Sequence, residues 1–580
     1  MKNKTGFSPE IKLLTFFFVL LLTASFSCRP KIIKISEPPP DRHQAFNFKG
    51  ERGMVVAAHP LAAKAGLQML KKGGNAVDAA IATAFALNAA EPFASGIGGA
   101  GFMVIYLSEQ KKVTVINFRE KAPSHAFPEM FRDNGKTRNE WRETHGLAVA
   151  VPGALAGWKY ALEKYGTKNL AEVMQRGIEI AEKGFIISQT FSTINKDEYE
   201  KLIKNAGETS LYLNDGFPYE PGDSFCNPDL ARTFRQLASK GIDEFYKGEI
   251  ARKIVEAVKN KGGILTLEDL ASYCPVEQTP LEGTYKGYTL YSLPPPSSGG
   301  LHIIQLLNIF ENWPIKKWGH NSPAYIHHFS EALRFVFADR AQYMGDPEFV
   351  RIPINKLISK EYAAQIAAKI KPRSVIGFYP PGEFEKPQHD QGNTTHLCVV
   401  DKKGNTVSLT QSINYFFGSG IVPEGTGFLL NNHMADFSTN PHSPNAPRPK
   451  RRPVSSMAPL IMLKEGEPFL VLGSPGGTRI FSSLAQIIIN VIDFGFSLDE
   501  AIEAPRFFTY SSQGKARNLS VESRLTATTI KSLEEKGHKI TTRKAYDKYF
   551  GGAQGIMILR GRRLILGGAD SRRDGYGAGY

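Results

Sequence analysis

The feature that most constrains the fold of this 580-residue chain is the segment Asn393–Asp401, which has the pattern of a self-cleavage site followed by a buried strand. A threonine hydroxyl is a weak nucleophile until a base lies beside it, and the nearest base available to Thr394 is its own α-amine. That amine has a reference pKa of about 8, and it exists only after the bond between Asn393 and Thr394 is cut. The segment therefore predicts a chain that cleaves itself and exposes Thr394 as an N-terminal nucleophile.

The residues after Thr394 predict a β-hairpin. The run 395–400 is apolar, a short turn follows, and 406–412 alternates as a second strand. This hairpin places residue 394 opposite the second strand's end, where side chains of paired strands meet. We therefore expect Ser412 and Asn414 to lie beside the Thr394 hydroxyl.

The chain is mainly helical before the predicted cut and mainly β after it. The polar, turn-rich segment Glu383–Gly392 is a suitable accessible loop ahead of the cut. Helix patterns and caps predict helices at Ala76–Ala90, Leu170–Lys183, Ile250–Lys261, His302–Glu311, Ser482–Ile492 and Leu525–Lys536. Helices followed by strands with late helices favour an α+β fold in which two sheets lie between helical layers.

The N-terminus has the layout of an export signal. Three lysines precede the apolar run Leu13–Leu22, and small residues follow up to Cys28; the run is too short for a comfortable membrane span. We expect a signal peptide at 1–28, a Pro-rich tether at 29–47, and a periplasmic, membrane-anchored or secreted protein. Cys28 is a candidate for lipid modification; the alternative is a plainly cleaved signal peptide.

The glycine segment Gly96–Gly101 matches the pattern G-x-G-x-x-G. A dinucleotide site needs the order strand, glycine loop, helix, whereas here a predicted helix precedes the loop and the strand Phe102–Leu107 follows it. We therefore expect the glycines to allow close backbone packing. No organic cofactor is predicted.

The cysteines indicate neither a metal site nor a disulfide framework. Cys226, Cys274 and Cys398 are widely spaced and form no CxxC motif or His/Cys cluster. Cys398 lies in an apolar run and is expected in the core. The sequence also contains no G-x-S-x-G elbow and no HExxH motif, which argues against α/β-hydrolases and zinc proteases.

The formal net charge is +15, but the basic residues are scattered. No basic helix or aromatic-interleaved stripe is present, so nucleic-acid binding is not predicted. A positive surface favours attraction to an anionic membrane or cell wall, and it would steer anionic substrates.

The chain resembles the γ-glutamyltranspeptidase (glutathione hydrolase) family of N-terminal-nucleophile hydrolases from about Gly53 to Tyr580. The resemblance is carried by TTHLCVVDKKGNTVSLTQSINYFFGSGIVPEGTGFLLNNHMADFS, RRPVSSMAPL, LGSPGGTRI, GNAVDAAIATAFALNAAEP, SGIGGAGF, NFREKAP, LAVAVPGALAGW, PPPSSGG and GGADSRRDGYGAGY. It implies a four-layer αββα sandwich built from two autoproteolytic fragments, a large subunit at 48–393 and a small catalytic subunit at 394–580. It implies no metal and no organic cofactor.

The resemblance also implies catalytic roles. The Thr394 hydroxyl attacks the Asn393 carbonyl in self-cleavage and later attacks a γ-glutamyl amide. Ser412 stands where the family places a hydroxyl that hydrogen-bonds the nucleophile. Gly476 and Gly477 match the oxyanion hole, where bare backbone N–H groups can point at a developing negative charge.

Substrate contacts follow from the same resemblance. Arg119 matches the carboxylate-binding arginine, whose forked donors suit this role. Ser455 and Ser456 match the serine pair that adds hydroxyl donors to that carboxylate. Asn414 and Asp436 match the positions that hold the α-ammonium group.

Three departures from the family pattern affect specificity. His433 stands where many relatives carry Gln or Glu in contact with the substrate ammonium, and Ala435 stands where an acidic residue usually precedes Asp436. The segment Ser438–Arg452 is shorter than the usual lid and lacks its closing aromatic residue. We therefore expect an open cleft that accepts bulkier γ-glutamyl donors or acceptors.

The leading hypothesis is a self-cleaving γ-glutamyl hydrolase and transpeptidase. It would act on glutathione or related donors, and water or an acceptor amino acid or peptide would resolve the acyl-enzyme. The two fragments would stay together, because Arg119 comes from one and Thr394 from the other. The alternatives are a glutaryl- or β-lactam-type acylase of the same fold, and a processing-defective exported binding lipoprotein.

Overall fold

Two seven-stranded antiparallel sheets lie at the centre of the fold. The computed structural model describes residues 47–377, 379, 392–510 and 518–580. The first sheet contains, in spatial order, Tyr576–Gly579, Met54–Ala57, Asn393–Val400, Thr406–Asn414, Ala100–Leu107, Lys112–Phe118 and Val276–Gln278. The second sheet contains, in spatial order, Phe48–Gly50, Leu564–Ala569, Gln554–Leu559, Glu467–Gly473, Leu460–Lys464, Tyr288–Ser292 and Leu281–Tyr285.

Side chains of the first sheet alternate between two apolar layers, as the two-residue period of a strand requires. Leu397 and Val399 pack in the helical layer that covers the sheet, whereas Cys398 and Val400 pack between the two sheets. Another helical layer covers the far side of the second sheet. The order of layers is therefore helices, sheet, sheet, helices, which confirms the predicted αββα sandwich.

The predicted helices are present, with bounds that match or differ by a few residues. Asn75 and Asp78 form a capping box that begins the helix Ala76–Ala90, and Leu170–Lys183 has the same kind of cap. Helices of eight residues or more are Pro60–Lys71, Ala76–Ala90, Ala154–Tyr165, Leu170–Lys183, Gln189–Asp197, Tyr199–Ala206, Pro228–Lys240, Glu249–Asn260, Gly299–Phe310, Pro323–Tyr343, Lys360–Lys369, Ile480–Ile492 and Ala527–Glu535. Shorter helices are Asn139–Glu143, Asp243–Tyr246, Leu267–Ala271, Ile315–Trp318, Ile354–Leu357 and Leu498–Glu503.

The helix Gly299–Phe310 begins three residues before the predicted start at His302. Its first residues are glycines, which are disfavoured in helices and frequent in loops. A Cβ at Gly299 would lie 2.5 Å from the carbonyl oxygen of Met457. The glycines are therefore needed for close packing of the first helical turn, not for a loop.

The hairpin that carries Thr394 has the predicted register. Asn393 pairs with Asn414 and Thr395 pairs with Gln411, and the register shifts between these two pairs. Thr394 therefore lies at a β-bulge, opposite the two residues that precede Asn414. Bulges re-aim a side chain relative to the regular pleat and are frequent beside active sites.

Each of the two large sheets contains strands from both sides of the predicted cut. Asn393–Val400 pairs with Met54–Ala57, and Thr406–Asn414 pairs with Ala100–Leu107. Removing residues 394–580 would break these ladders and expose apolar faces on both sides. The two fragments of a processed chain are therefore held together by the sheets themselves.

Some predictions fall outside the described residues. They are the signal peptide 1–28 with Cys28, the tether 29–47 apart from its last residue, and the loop Glu383–Gly392 apart from Gly392. Within the described ranges, no helix is long and apolar enough to cross a membrane. Over the same ranges, no group of His, Cys, Asp and Glu side chains is arranged to hold a metal ion.

The substitution Gly473→Ala tests the packing of the second sheet against the strand Asn393–Val400, which carries Thr394. A Cβ at Gly473 would lie 2.2 Å from Cε1 of His396, whose buried ring contacts Thr410 Oγ1 at 2.8 Å and Cys398 Sγ at 3.1 Å. Burial lowers the pKa of His396 to about 3, so the ring is neutral. Because this ring cannot move without losing its contacts, we expect a loss of about 1–3 kcal/mol in the free energy of unfolding.

The matched control is Gly561→Ala, since a Cβ at Gly561 would meet no atom within 4 Å. Chemical denaturation should show a change below about 0.5 kcal/mol for this variant. Equal stability of the Gly473→Ala variant and the unmodified protein would contradict the packing described here.

Candidate active site

The predicted site residues converge on one cavity of about 660 Å³ at the open end of the hairpin. Those that line it are Arg119, Thr394, Ser412, Asn414, His433, Asp436, Ser455, Ser456 and Gly477. Asn393 and Gly476 are their neighbours in the chain. Residues from both sides of the predicted cut therefore meet in one cavity, although the chain is continuous between Asn393 and Thr394 in this structure.

The Ser412 hydroxyl lies at the bond predicted to be cut. Its Oγ donates to the carbonyl oxygen of Asn393 at 2.5 Å and accepts from the backbone N–H of Asn414 at 2.7 Å. The sequence predicted a hydrogen bond between Ser412 and the Thr394 hydroxyl. In the uncut chain the Ser412 hydroxyl instead donates to the carbonyl of Asn393, which Thr394 would attack. A donor at this oxygen stabilises the negative charge that develops there during attack.

Arg573 is a site residue that the sequence did not identify. Its guanidinium donates to the carbonyl oxygen of Thr394 at 3.0 Å and to Oδ1 of Asn393 at 2.8 Å. It is buried, and Glu91 lies 3.6 Å away. Burial raises the pKa of Glu91 to about 7, and the nearby Arg573 charge opposes that rise. Arg573 therefore holds both residues of the predicted cleavage bond.

Gly477 of the glycine pair lies against Gly392, the residue that precedes Asn393. Gly476 has φ +132° and Gly477 has φ +57°, conformations that favour glycine. A Cβ at Gly392 would lie 3.1 Å from Cα of Gly477. The helix Ile480–Ile492 follows, and Ile480 at its positive N-terminal end lines the cavity. The predicted oxyanion role stays a prediction, and the location is compatible with it.

Arg119 and Asp436, predicted to bind opposite ends of a zwitterion, form an ion pair with each other. Arg119 is buried and also donates from Nε to the carbonyl oxygen of Pro453 at 3.3 Å. Asn414 donates from Nδ2 to Oδ1 of Asp436 at 3.1 Å. The Asp436 side chain is 27% exposed. The three side chains thus form a charged cluster that remains open to the cavity.

The serine pair is held by the loop 294–298, which precedes the helix Gly299–Phe310. Ser298 donates from its backbone N–H and its hydroxyl to the carbonyl oxygen of Ser455, each at 2.8 Å. Arg340, on the helix Pro323–Tyr343, donates to the hydroxyls of Ser298 and Ser456 at 3.0 and 3.2 Å. The sequence suggested no role for Arg340, because the loop and the arginine are distant in the chain.

His433 contacts Glu120 in this structure. Its Nδ1 lies 2.5 Å from Oε1 of Glu120, and the other carboxylate oxygen of Glu120 accepts from Arg119 at 3.2 Å. All three residues are buried. Glu120 therefore connects His433 to the predicted carboxylate-binding arginine. Contact between His433 and a substrate ammonium stays a prediction.

The short segment Ser438–Arg452 forms one wall of the cavity. Its residues there are Ser438, Thr439, Asn440, His442, Ser443, Pro444 and Asn445. None of them is Phe, Tyr or Trp, as the sequence predicted. Arg452 anchors the end of the segment, since its backbone N–H donates to Asp346 at 2.8 Å.

Comparison with known protein families gives one match over most of the chain. The model of the family described as "Gamma-glutamyltranspeptidase" matches residues 62–580. This range includes every residue of the cavity.

Individual relatives cover nearly the whole chain. A glutathione hydrolase proenzyme of Escherichia coli (strain K12) is 41% identical over 550 residues, which is 92% of this chain and 92% of the relative. An acylase ACY 1 proenzyme of Pseudomonas sp. (strain SE83) is 40% identical over 501 residues, 85% of this chain and 88% of the relative. The crystal structure of a cephalosporin acylase from Bacillus halodurans has a TM-score of 0.83 and 30% identity, and it covers 94% of this chain and 98% of that chain.

Proposed function

Because the chain belongs to the γ-glutamyltranspeptidase family, we propose that it is a self-cleaving γ-glutamyl hydrolase and transpeptidase with Thr394 as its nucleophile. In self-cleavage the Thr394 hydroxyl oxygen attacks the carbonyl carbon of Asn393, and the peptide C–N bond breaks as its nitrogen takes a proton. Water then hydrolyses the resulting ester. The products are a carboxylate at Asn393 and a free α-amine at Thr394.

The contacts of the cleavage bond support this first reaction. Ser412 donates to the Asn393 carbonyl oxygen, where negative charge develops, and Arg573 fixes the groups on either side. A bond held in one geometry with a donor on its oxygen is prepared for attack.

In the mature enzyme the new α-amine of Thr394 serves as the base. It accepts the proton of the hydroxyl while the hydroxyl oxygen attacks the γ-carbonyl carbon of the donor. The amine of the donor leaves with a proton, and a γ-glutamyl ester remains on Thr394. Water or an acceptor amino acid or peptide then resolves this ester. We assign the backbone N–H groups of Gly476 and Gly477 to the oxyanion in both steps.

The observation that carries the substrate assignment is the ion pair between Arg119 and Asp436. A glutamyl donor presents an α-carboxylate and an α-ammonium on one carbon. Its carboxylate can take the place of Asp436 on Arg119, with the hydroxyls of Ser455 and Ser456 beside it, and its ammonium can pair with the released Asp436. One ion pair is thus exchanged for two, which offsets the cost of dehydrating the substrate charges.

The acylase relatives make a glutaryl- or β-lactam-type acylase the second candidate. A glutaryl group has a carboxylate but no α-ammonium, so it would leave Asp436 without a cationic partner from the substrate. Asp436 and Asn414 therefore favour γ-glutamyl donors.

The test measures kcat/KM of the cleaved protein for two substrates, γ-glutamyl-anilide and glutaryl-anilide. We expect kcat/KM for γ-glutamyl-anilide to exceed that for glutaryl-anilide by about 10²-fold, because a site built to pair with the ammonium group is left with an unpaired Asp436 when the substrate lacks it. A preference for the glutaryl substrate would favour the acylase instead.

The remaining parts of the proposal concern substrate size and location. We propose an open cleft that admits bulky γ-glutamyl peptides, since the wall Ser438–Arg452 carries no closing aromatic residue; a poly-γ-glutamyl chain that is inert while glutathione turns over would contradict it. We also propose export, with Cys28 as a candidate lipid anchor, on the basis of the signal-like sequence 1–28.

A further inference from the structure

The backbone around Asp436 is held by two side chains that have no assigned role. Arg142, on the short helix Asn139–Glu143, donates from Nη2 to the carbonyl oxygen of Ala435, and to that of Phe437 at 3.1 Å. Asn445 donates from Nδ2 to the carbonyl oxygen of Asp436 itself at 2.8 Å. Three consecutive carbonyl groups are therefore bound, and the Asp436 carboxylate projects from a fixed backbone.

Asn445 also connects Asp436 to the serine pair. Its Oδ1 accepts from the backbone N–H of Val454 at 3.0 Å, and Val454 directly precedes Ser455. The backbone N–H of Ser438 donates to the carbonyl oxygen of Asn445 at 2.9 Å. One side chain thus links the predicted ammonium-binding residue to the segment that binds the carboxylate.

Apolar packing also supports this turn. Met434 and Phe437 flank the turn and are 0% and 1% exposed. They share an apolar cluster with residues from before the cut, including Phe131 and Trp141. The guanidinium of Arg142 also lies 6.0 Å from the ring centre of Phe131. The turn is therefore fixed by its apolar neighbours and by Arg142 together.

We infer that Arg142 and Asn445 form a clamp that positions Asp436 for the α-ammonium group of the donor. Both are positioning residues, since they act on the substrate through Asp436. The inference rests on the proposed function. It adds that recognition of the ammonium group depends on a residue from each fragment, and that it can be weakened without loss of recognition of the carboxylate.

The test uses Arg142→Gln and Asn445→Ala in the full chain, after self-cleavage has been checked on a denaturing gel. We expect KM for γ-glutamyl-anilide to rise about tenfold, a change that corresponds to about 1.4 kcal/mol of binding, with kcat changed by less than about threefold. Competitive inhibitors with and without an ammonium group should distinguish recognition of the ammonium group from recognition of the carboxylate. For Arg142→Gln, and for Asn445→Asp, which keeps the acceptor for the Val454 N–H, the inhibition constant of L-glutamate should rise with KM, whereas that of glutarate, which lacks the ammonium group, should stay within about twofold.

Conservative variants separate positioning from general damage. Asn445→Asp keeps an acceptor for the Val454 N–H but loses the donor to the Asp436 carbonyl, so it should resemble Asn445→Ala. Arg142→Lys keeps a cation that can reach one carbonyl and should give an intermediate KM. Arg138→Gln, at an exposed arginine of the same segment paired with Asp133, is the matched control and should leave both constants unchanged.

The outcomes are distinct. Equal weakening of L-glutamate and glutarate, or no weakening of either, would overturn the clamp while leaving the proposed function intact. An unmodified protein that cleaves itself but does not turn over γ-glutamyl-anilide would overturn the proposed function, and the clamp with it.

Discussion

Thr394→Ala is expected to leave the 580-residue chain uncut and without γ-glutamyl turnover. The methyl group of alanine can attack neither the Asn393 carbonyl nor a donor, and without the cut no α-amine forms to act as base. Release of the anilide should fall by roughly 10⁴-fold or more. A denaturing gel should show only the full-length chain, and the rate of γ-glutamyl-anilide hydrolysis should fall to that of the buffer.

Two variants serve as controls for this loss. Thr394→Ser retains a hydroxyl and should still produce both fragments. Thr193→Ala, on the helix Gln189–Asp197, removes a threonine hydroxyl that does not line the cavity and should cleave normally. Cleavage of the Thr394→Ala variant at the same bond would contradict the assignment of the nucleophile.

Arg573→Gln is expected to slow self-cleavage by roughly 10²-fold, the size of effect that a misplaced reacting group produces. The guanidinium holds the side chain of Asn393 and the carbonyl of Thr394 at once. Glutamine is shorter and cannot donate to both. The measurement is the fraction of cut chain against time after synthesis in a cell-free system, with Arg562→Gln, at an exposed arginine on the turn before the strand Leu564–Ala569, as the control.

The protonation of Glu91 explains why this variant should still fold. Burial raises the pKa of Glu91 to about 7, and the charge of Arg573 works against the rise. Removing that charge moves the pKa further up, so that Glu91 is protonated at neutral pH and no buried charge is left unpaired. A folded Arg573→Gln variant that cleaves at the normal rate would contradict the positioning role of Arg573.

The elements that could be predicted from the sequence are those fixed by local interactions. The helix Ala76–Ala90 begins at a capping box formed by residues three apart, and the hairpin register follows from a short turn between two strands. The two-sheet sandwich was also predicted, because the resemblance to the family spans nearly the whole chain. Here the sequence pattern and the family resemblance agree with the structure.

The contacts that could not be predicted join residues that are far apart in the chain. Arg573 meets Asn393 across 180 positions, and Arg142 meets Ala435 across 293. The C-terminal motif containing Arg573 was recognised as part of the family pattern, but nothing in it indicates which of its two arginines reaches the cleavage bond. The partner of Ser412 was also missed, because the family role refers to the mature nucleophile and the structure shows the uncut chain.

The most direct test of the central claim is the N-terminal sequence of the smaller fragment of the purified, active protein. We predict that it begins Thr-Thr-His-Leu-Cys and comprises residues 394–580, a fragment of 187 residues, which remains bound to the larger one under native conditions. A fragment that begins at any other residue would contradict Thr394 as the nucleophile. A chain that stays uncut would favour a processing-defective binding protein instead.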